Sequence, residues 1–400
     1  MKQKDIQILI VPDVHGRDFW RKPVQSHPDK PVVFLGDYLD PYGDEHIKDD
    51  QAISILKEII SLKRSRPDSV HVLLGNHDMA YIDPRIGCGR HRWLDEYAMK
   101  RIYKEAEDCF DLAYDQLIGG RRFLFSHAGV SMGWLSLHRD MFKGVPSGAA
   151  LFELMLKSPE RRDDLIAALG DVSIARMGKA KFGSMIWADV QEMMHPHMQI
   201  PGFVQVFGHS KQDVEPCCLR GFAYCLDCRR VFYIDSAGDI RDYESDMVVG
   251  DQKYLFLDID GVVTSTHSHY YFDPDCFDRL GRILDATDAR IVVTSSWKGQ
   301  TVDETKRYLT DIRDPYVAGH PFPYCDKIVG VTRDWPVVDD DYTRGKEVES
   351  YLKHHSCSSY VILDDIQDFI PEQLDHFVCV HDSTGISEDD VQKAIEILLK

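Results

Sequence analysis

The chain has 400 residues, 44% of them hydrophobic, and a formal net charge of −19. This length predicts two or three domains, each large enough to bury a core of its own. The acidic charge argues against tight, non-specific binding to nucleic acid, whose backbone is also negative. No stretch approaches the roughly 18 consecutive apolar residues that a membrane span needs.

The first part of the chain contains five short apolar runs that predict β-strands, because they are rich in β-branched and aromatic residues. The runs are Ile8–Val11, Val32–Leu35, Val70–Leu74, Phe123–Phe125 and Val204–Phe207. A short polar motif follows each run. In chain order the motifs are Asp13-Val14-His15-Gly16, Gly36-Asp37-Tyr38-Leu39-Asp40, Gly75-Asn76-His77-Asp78, Ser126-His127-Ala128-Gly129 and Gly208-His209-Ser210.

Strands that end in Asp, His or Asn bring these side chains to one edge of a sheet, where open α/β sheets bind ligands. Carboxylate, amide and imidazole groups suit two divalent metals about 3.5–4 Å apart. Such a metal pair activates a water molecule and binds a phosphate group. The motifs therefore predict a phosphoester hydrolase.

The five ordered motifs resemble those of the calcineurin-like metallophosphoesterases. They are most similar to the branch that holds the serine/threonine phosphoprotein phosphatases and the diadenosine-tetraphosphatase-like phosphatases. The resemblance covers a domain expected at residues 1–246. It implies a β-sandwich flanked by helices.

The resemblance also implies which residues bind the metals. Asp13 and His15 would hold the first metal, and Asp37 would bridge the two. The second metal would be completed by Asn76, His127 and His209. Mn²⁺ is the expected metal, with Fe, Zn or Mg as alternatives, because mixed nitrogen and oxygen ligands do not select sharply.

The same resemblance implies that two other motif residues take part in proton transfer. His77 would donate a proton to the leaving oxygen. Asp40 would orient His77 from behind.

The chain departs from the phosphoprotein phosphatases in its phosphate-binding arginines. Pro41 and Leu74 stand where those enzymes have arginine, and residues 190–208 contain no Lys or Arg. These losses argue against phosphoprotein substrates more than against hydrolysis. The next basic residues along the chain are Arg85, Arg90, His91 and Arg92. They either replace the missing phosphate-binding donors or form a solvated basic loop.

A polar segment between Tyr243 and Lys253 predicts a domain boundary, and a second domain is expected at residues 251–400. An apolar run leads there into Asp258-Ile259-Asp260-Gly261. The motifs that follow are Thr294-Ser295-Ser296-Trp297, Arg344-Gly345-Lys346 and Leu363-Asp364-Asp365.

This second set of motifs resembles the haloacid dehalogenase superfamily of phosphatases. The Thr-Ser-Ser-Trp and Leu-Asp-Asp forms are similar to the small domain of bacterial RNA-repair proteins. The resemblance implies a Rossmann-like domain in which Asp258 attacks phosphorus and forms an aspartyl-phosphate. Asp260 would protonate the leaving group and then activate water.

Further roles in the second domain follow from the same resemblance. Either Thr294 or Ser295 would bind the phosphoryl oxygens, and Lys346 would neutralise their charge. Mg²⁺ is the expected ion, because it prefers carboxylates and water. Its expected ligands are Asp258, Asp260, Asp364 and Asp365, with Asp368 as an alternative to the last two.

Three segments each have two interpretations. Residues 146–189 form either a lid over the first site or a helical layer of the core. Residues 264–272 form either a flap that stacks on a base or ordinary aromatic packing. Cys225 and Cys228 are either zinc ligands or part of strand packing.

The chain is thus expected to be a two-domain α/β phosphatase that hydrolyses phosphomonoesters, with nucleotides or RNA phosphate ends as candidate substrates. Scattered cysteines and a short N-terminal strand predict a cytoplasmic protein without a signal peptide. We expect neither membrane association nor stable nucleic-acid binding. One alternative is a serine/threonine-type phosphoprotein phosphatase with an accessory C-terminal domain. Another is a regulatory protein in which one domain only binds a phosphorylated ligand.

Overall fold

The computed structural model describes residues 4–88, 96–143, 148–150, 152–153, 158–334 and 342–400. Its internal contacts divide the chain into two compact units. The first comprises Met1–Gln212 and Pro216–Val249, and the second comprises Asp213–Glu215 and Gly250–Lys400. Within the described residues, no helix has both the length and the apolar character needed to cross a bilayer.

Two five-stranded sheets form the framework of the first unit. Its strands are β1 (Ile8–Val11), β2 (Val32–Phe34), β3 (Val70–Val72), β4 (Ala113–Ile118), β5 (Arg121–Ser126), β6 (Phe203–Phe207), β7 (Cys217–Leu219), β8 (Ala223–Cys225), β9 (Phe232–Ile234) and β10 (Ile240–Asp242). One sheet has the order β10-β9-β1-β2-β3 and the other the order β4-β5-β6-β8-β7. Because β1, β2 and β3 run parallel, as do β5, β6 and β8, each set ends at one edge of its sheet.

The two sheets face each other across an apolar layer. Ile8 and Ile10 enter this layer from one sheet, and Phe123 and Val206 enter it from the other. Leu9 lies between the two isoleucines in sequence and faces the opposite core, as the alternation of side chains along a strand requires. The predicted β-sandwich is therefore confirmed.

Helices complete the first unit. They are α1 (Arg21–Ser26), α2 (Asp49–Ser65), α3 (Asn76–Ile82), α4 (Glu96–Glu105), α5 (Met132–Leu137), α6 (Pro159–Leu169) and α7 (Val190–Met193). In α2, Ile55 and Ile59 pack into the same core as Leu9. That helix begins with two aspartates and ends with Lys63 and Arg64, a charge order that suits its macrodipole.

The described part of residues 146–189 packs into the core of the first unit. Leu165 and Leu169 of α6 are buried there together with Ile186. Of the two interpretations of this segment, the helical layer is the one that these contacts support.

The cysteines of β7 and β8 belong to strand packing. Cys217 lies opposite Cys225 in the ladder. The buried thiol of Cys225 donates to the carbonyl oxygens of Gly208 and Ser210, each at 3.3 Å. Among the described residues, no group of potential metal ligands includes Cys225 or Cys228. The Cys225 thiol instead supports the loop that carries His209.

A single five-stranded sheet forms the framework of the second unit. Its strands are β11 (Lys253–Leu257), β12 (Arg290–Val293), β13 (Ile328–Val331), β14 (Ser359–Asp364) and β15 (Phe377–Cys379). Their order is β13-β12-β11-β14-β15, and every pairing is parallel. Crossover connections are therefore required between the strands.

Helices occupy both faces of this parallel sheet. They are α8 (Pro274–Thr287), α9 (Val302–Thr310), α10 (Thr343–His354) and α11 (Glu388–Leu399). On β11, Leu255 belongs to a core with Leu280 of α8, while Phe256 belongs to a separate core with Val348 of α10. A buried parallel sheet between two helical layers confirms the predicted Rossmann-like α/β domain.

Candidate functional site

The polar motifs of the first unit meet where its strands end. Asp13 and His15 follow β1, and Asp37 follows β2, the parallel neighbour of β1. Asn76 begins α3 after β3, and His127 and His209 follow β5 and β6 of the other sheet. The two edges together therefore present carboxylate, amide and imidazole groups to one small volume.

Four of these motif residues adopt a left-handed backbone that non-glycine residues rarely populate. The φ angles are 45° at His15, 52° at Asp37, 56° at Asp40 and 64° at His209. Such conformations cost free energy and persist only where the surrounding structure enforces them. Their concentration in this site indicates that the placement of the side chains, rather than the intrinsic conformational preference of the backbone, determines the local fold.

Two glycines of the motifs give the carboxylates room. A Cβ atom on Gly75 would lie 2.1 Å from Oδ1 of Asp37. A Cβ atom on Gly208 would lie 2.0 Å from Oδ1 of Asp13. Both carboxylates thus lie directly against a backbone that only glycine allows.

One group of potential metal ligands comprises Asp13, His15 and Asp37. Nε2 of His15 lies 3.7 Å from Oδ2 of Asp37 and 4.0 Å from Oδ2 of Asp13. Nδ1 of His15 contacts the Leu39 carbonyl oxygen at 2.7 Å, which directs Nε2 toward the two acids.

A second group shares Asp37 and adds His127 and His209. Nε2 of His127 lies 3.5 Å from Oδ2 of Asp37, 3.1 Å from Nδ1 of His209 and 3.0 Å from Oδ1 of Asn76. Nδ1 of His127 contacts the carbonyl oxygen of Leu35 at 2.9 Å, so its ring is oriented in the same way as that of His15.

The electrostatics of these groups suit divalent cations. Burial lowers the pKa of His127 and holds that of His209 well below its usual range, so both rings are neutral and able to bind metal. Burial also raises the pKa of Asp37, with the neighbouring charge of Asp13 adding to the effect. A bound cation would offset the cost of placing these acids together.

His77 and Asp40 form a buried pair beside the ligand groups. Oδ2 of Asp40 lies 2.8 Å from Nδ1 of His77, and the Tyr81 hydroxyl donates to Oδ1 of Asp40 at 2.9 Å. Sγ of Cys88 lies 3.0 Å from the same His77 nitrogen. Nδ1 of His77 is thus the ring nitrogen that these two side chains hold.

Asp78 is the last residue of the third motif, and it joins that motif to the second one. Its carboxylate accepts hydrogen bonds from the backbone N–H groups of Gly75 at 2.8 Å, Asp37 at 2.7 Å and Tyr38 at 3.2 Å. The hydroxyl of Tyr103 donates to it at 2.5 Å. Asp78 thereby fixes Asp37 relative to α3, a role that was not evident from the sequence.

Of the next four basic residues along the chain after the third motif, Arg85 is the one that the structure describes. Arg85 is held by the carboxylates of Asp83 at 2.8 Å and Asp163 at 3.1 Å. Arg90, His91 and Arg92 lie outside the described residues.

A cation that the sequence analysis missed lies beside the last ligand. Nε of Arg176 is 2.8 Å from Oδ2 of Asp189, and its Nη2 donates to the hydroxyl of Ser210. The charge of Arg176 also contributes to the lowered pKa of His209. Arg176 precedes the span in which the family pattern places an arginine, so its sequence position alone did not reveal it.

The second unit gathers its acids at the ends of β11 and β14. Asp258, Asp364 and Asp365 form one group of potential metal ligands. Burial and the neighbouring charge of Asp258 raise the pKa of Asp364 to about 7, a cost that a cation would offset. Asp368, the alternative ligand, instead accepts a hydrogen bond from the backbone N–H of Arg344 at 3.1 Å.

Arg344 is the cation that contacts these acids. Its Nη1 lies 3.1 Å from Oδ1 of Asp258, donates to Oδ2 of Asp364 at 2.9 Å, and donates to the carbonyl oxygen of Thr294 at 2.6 Å. The predicted cation, Lys346, is two residues farther along α10, and its role remains a prediction.

The buried Oγ1 of Thr294 makes no hydrogen bond among the described residues. Ser295 differs, because its hydroxyl accepts a hydrogen bond from the N–H of Trp297 at 3.3 Å. Buried polar atoms are nearly always hydrogen-bonded, so the unpaired hydroxyl of Thr294 suits a ligand. The geometry therefore favours Thr294 over Ser295 as the phosphoryl-binding hydroxyl.

Asp260 is held apart from the ligand group. The indole Nε1 of Trp297 donates to its Oδ2 at 3.0 Å. Partial burial, with the charge of Asp258 adding to it, raises the pKa of Asp260. A carboxyl group in such a setting suits a general acid better than a permanently ionised ligand.

Comparison with known proteins yields matches in both units. The profile of the family described as "Calcineurin-like phosphoesterase" matches residues 6–213. The profile described as "HAD domain in Swiss Army Knife RNA repair proteins" matches residues 254–391.

One curated relative is "Serine/threonine-protein phosphatase PP2A-like PPG1" of Saccharomyces cerevisiae, with 25% identity over 166 residues. The alignment covers 39% of this chain and 43% of the yeast protein, so the chain spans less than half the length of that relative. A solved structure of a protein serine/threonine phosphatase from the same yeast, with similarity to human phosphatase PP5, has 18% identity and a TM-score of 0.34. It covers 61% of this chain and 78% of its own.

The two profile matches agree with the ligand groups that the structure brings together in each unit. They give the chain a calcineurin-like phosphoesterase match in its first unit and a HAD-domain match in its second. Since the match at residues 6–213 covers more than half of the 400 residues, the chain belongs to the calcineurin-like phosphoesterase family.

Proposed function

We propose that the two units are separate phosphomonoesterases that act on nucleotides or RNA phosphate ends. The observation that carries this proposal is that each unit groups carboxylates at a sheet edge beside a proton donor of its own. In the first unit the donor is His77, and in the second it is Asp260. The functional domains are proposed to extend over residues 1–246 and 251–400.

The first site would hold two divalent cations, and its donor set fits them. Asp13 and His15 would bind one, and Asp37 would bridge, because it belongs to both ligand groups. The second cation would be completed by Asn76, His127 and His209. Two cations of this kind supply a hydroxide nucleophile at neutral pH and neutralise phosphate charge. Mn²⁺ is the proposed metal.

His77 completes the first reaction. As the bond between phosphorus and the ester oxygen breaks, Nε2 of His77 gives its proton to the departing oxygen. Asp40 stabilises the protonated ring through the contact at 2.8 Å, and Tyr81 holds Asp40 in place.

The second site would work by covalent catalysis. A carboxylate oxygen of Asp258 attacks phosphorus, the ester bond breaks, and Asp260 gives its proton to the leaving oxygen. Asp260 then takes a proton from water, which attacks the aspartyl-phosphate and releases inorganic phosphate. Arg344 and Thr294 position the phosphoryl group.

Mg²⁺ is the proposed ion of the second site, where it would neutralise the charge of the phosphoryl group. Asp258, Asp364 and Asp365 would hold it, since they form one ligand group. Asp260, also predicted as a ligand, is better suited to its acid role, because partial burial and the charge of Asp258 raise its pKa.

The substrate proposal is supported by the second profile, whose description refers to RNA repair proteins. Two phosphatase chemistries in one chain suit successive steps on one class of substrate. A reducing, cytoplasmic setting is part of the same proposal. The net charge of −19 favours small phosphates or phosphate ends over long nucleic-acid tracts.

The second candidate is a phosphoprotein phosphatase with an accessory C-terminal unit. The similarity to the PP2A-like yeast protein favours it. Pro41 and Leu74, which stand at positions of phosphate-binding arginines, argue against it.

Phosphate release by the full chain and two variants tests the proposal. The variants are His77→Asn and Asp258→Asn, assayed with Mn²⁺ and with Mg²⁺. The panel holds mononucleotides, a phosphopeptide, and RNA carrying a 5′-, 3′- or 2′,3′-cyclic phosphate. His46→Asn and Asp285→Asn are matched controls on exposed residues.

We expect each active-site variant to lose a different activity on nucleotides or RNA ends, while the controls keep both. Hydrolysis of the phosphopeptide alone, unaffected by Asp258→Asn, would support the second candidate instead.

A further inference from the structure

Three cations surround one aromatic ring beside the first ligand group. The Tyr42 cluster comprises Arg17, Tyr42, Lys211 and Arg229. Cζ of Arg17 lies 5.4 Å from the centroid of the Tyr42 ring, Nζ of Lys211 lies 5.4 Å away, and Cζ of Arg229 lies 5.5 Å away. The ring therefore holds three positive groups together through cation–π contacts.

The Tyr42 cluster adjoins the ligands themselves. The Tyr42 ring packs edge-on against that of His15, with centroids 5.3 Å apart. Nη1 of Arg17 donates to the backbone carbonyl of Asp13 at 3.1 Å. Lys211 lies two residues after His209. An anion held by these cations would consequently lie next to a phosphate bound at the proposed metal site.

The positive charge of the Tyr42 cluster is only partly neutralised. Within the described part of the chain, Glu45 is the one carboxylate that forms an ion pair with these three cations. Its Oε1 lies 3.0 Å from Nη2 of Arg17 and 3.2 Å from Nη2 of Arg229. The buried Asp227 also interacts electrostatically with Arg17 and Arg229. Two acids against three cations still leave a net positive charge that attracts anions.

The arginines also retain buried N–H groups. Nε of Arg229 is buried and makes no hydrogen bond among the described residues, whereas Nη2 of each arginine contacts Oε1 of Glu45. Arg229 has a left-handed backbone, with φ of 61°, so its placement is enforced by the surrounding fold. The planar array of N–H donors in a guanidinium group matches the geometry of phosphate oxygens.

We infer that the Tyr42 cluster is an anion subsite that binds a second phosphate group of the substrate, next to the phosphate that is hydrolysed. This inference rests on the proposed function and extends it to substrates with two or more phosphates. The second phosphate could be joined through an anhydride, as in a nucleoside polyphosphate, or through the sugar, as in a nucleoside bisphosphate. Tyr42 positions the cations, and with three of them around its ring it is not a platform for a base.

Isothermal titration calorimetry on the full chain tests the subsite without relying on turnover. The protein is loaded with Mn²⁺ in an Asp258→Asn background. The probes are inorganic phosphate, tripolyphosphate and adenosine 3′,5′-bisphosphate, at fixed free Mn²⁺. Arg229→Gln, Lys211→Gln and the double variant are compared with Lys57→Gln, which removes one exposed charge from α2.

We expect tripolyphosphate or the bisphosphate to bind at least about 10-fold more tightly than phosphate, because each extra charge-assisted hydrogen bond contributes at this scale. The double variant should lose most of this preference, and Lys57→Gln should keep it. The probe with the larger preference identifies the linkage. Equal binding of all three probes, or an unchanged preference in the double variant, would overturn the inference.

Hydrolysis of p-nitrophenyl phosphate separates this inference from the proposed function. It should be lost in His77→Asn and little changed in Arg229→Gln and Lys211→Gln, since this substrate has no second phosphate. Hydrolysis that survives His77→Asn in the Asp258→Asn background would contradict the proposed function. The separate subsite would be contradicted if Arg229→Gln and Lys211→Gln reduced hydrolysis of p-nitrophenyl phosphate as much as they reduced polyphosphate binding.

Discussion

Oδ2 of Asp40 lies 2.8 Å from Nδ1 of His77, and both groups are buried. The carboxylate fixes the orientation of the ring. It also stabilises the charged form of the ring, which a proton donor must adopt before it transfers its proton. This pair connects the ligand groups to the departure of the leaving group.

Replacing Asp40 should disable His77 without removing the metals. We expect Asp40→Asn to lower kcat by about 10²–10³-fold, the range typical of lost acid–base catalysis. Metal content, measured by plasma mass spectrometry, should match the wild type. Adding His77→Asn to Asp40→Asn should cause little further loss, because the two residues act as a unit. Independent, multiplicative losses would contradict the pairing.

Cys88 offers a chemical test of the same region. Its Sγ lies 3.0 Å from Nδ1 of His77, so a bulky adduct on sulfur should displace the ring. We expect N-ethylmaleimide to inactivate the first site in the wild type and to have little effect on Cys88→Ser. Cys379→Ser, which removes an exposed thiol of the second unit, is the control and should remain sensitive. Equal inactivation of Cys88→Ser would show that the relevant thiol lies elsewhere.

Arg344 should be essential to the second site. It is the cation placed between Asp258 and Asp364. We expect Arg344→Gln to lower kcat/KM by about 10²–10³-fold, since a fixed positive charge that stabilises the reacting phosphoryl group is lost. The assay uses Mg²⁺ in a His77→Asn background. Lys346→Gln is the matched comparison, and a larger loss there would restore the role that the sequence predicted for Lys346.

The stability of the first unit should depend on the protonation of His71. Its ring stacks on that of Tyr114, with centroids 3.5 Å apart. Burial, with a smaller effect from the charge of Lys63, lowers the pKa of His71 to about 4. In the unfolded chain this pKa is about 6.5, so the unfolded state binds the proton first. Stability is therefore lost as the pH falls from about 6.5 toward 4.

His71→Phe keeps an aromatic ring but cannot take up the proton. It should remove on the order of 1–3 kcal/mol of the acid destabilisation in this pH window. Thermal unfolding between pH 7 and pH 4.5 measures the effect, with exposed His197→Phe as the control. An equally steep loss of stability in His71→Phe would show that other groups govern the acid response.

The grouping of the candidate ligands could be anticipated from the sequence, because each of them stands near the end of a recognisable strand. Asp13, Asp37 and Asp258 each lie within three residues of the end of a short apolar strand, so the end of the strand and the polar residue are predicted together. The strand pattern likewise anticipated a sandwich followed by a parallel sheet. Which group bridges, and which only supports, depends on neighbours that approach from distant parts of the chain.

The residues that sequence reasoning missed depend on such long-range contacts. Arg176 contacts Ser210 across 34 positions of the chain. Asp78 bonds the backbone of Asp37 across 41 positions. Arg229 reaches Tyr42 through a left-handed turn that no composition rule predicts. In each case the residue type was visible, but its partner was not.

Two independent phosphatase sites in one chain can be told apart by phosphate release from four forms of the full chain, each assayed with Mn²⁺ and with Mg²⁺. The forms are the wild type, His77→Asn, Asp258→Asn and the double variant. We expect each single variant to keep one activity and the double variant to have none. Loss of all phosphate release in either single variant would show that the two sites are not independent.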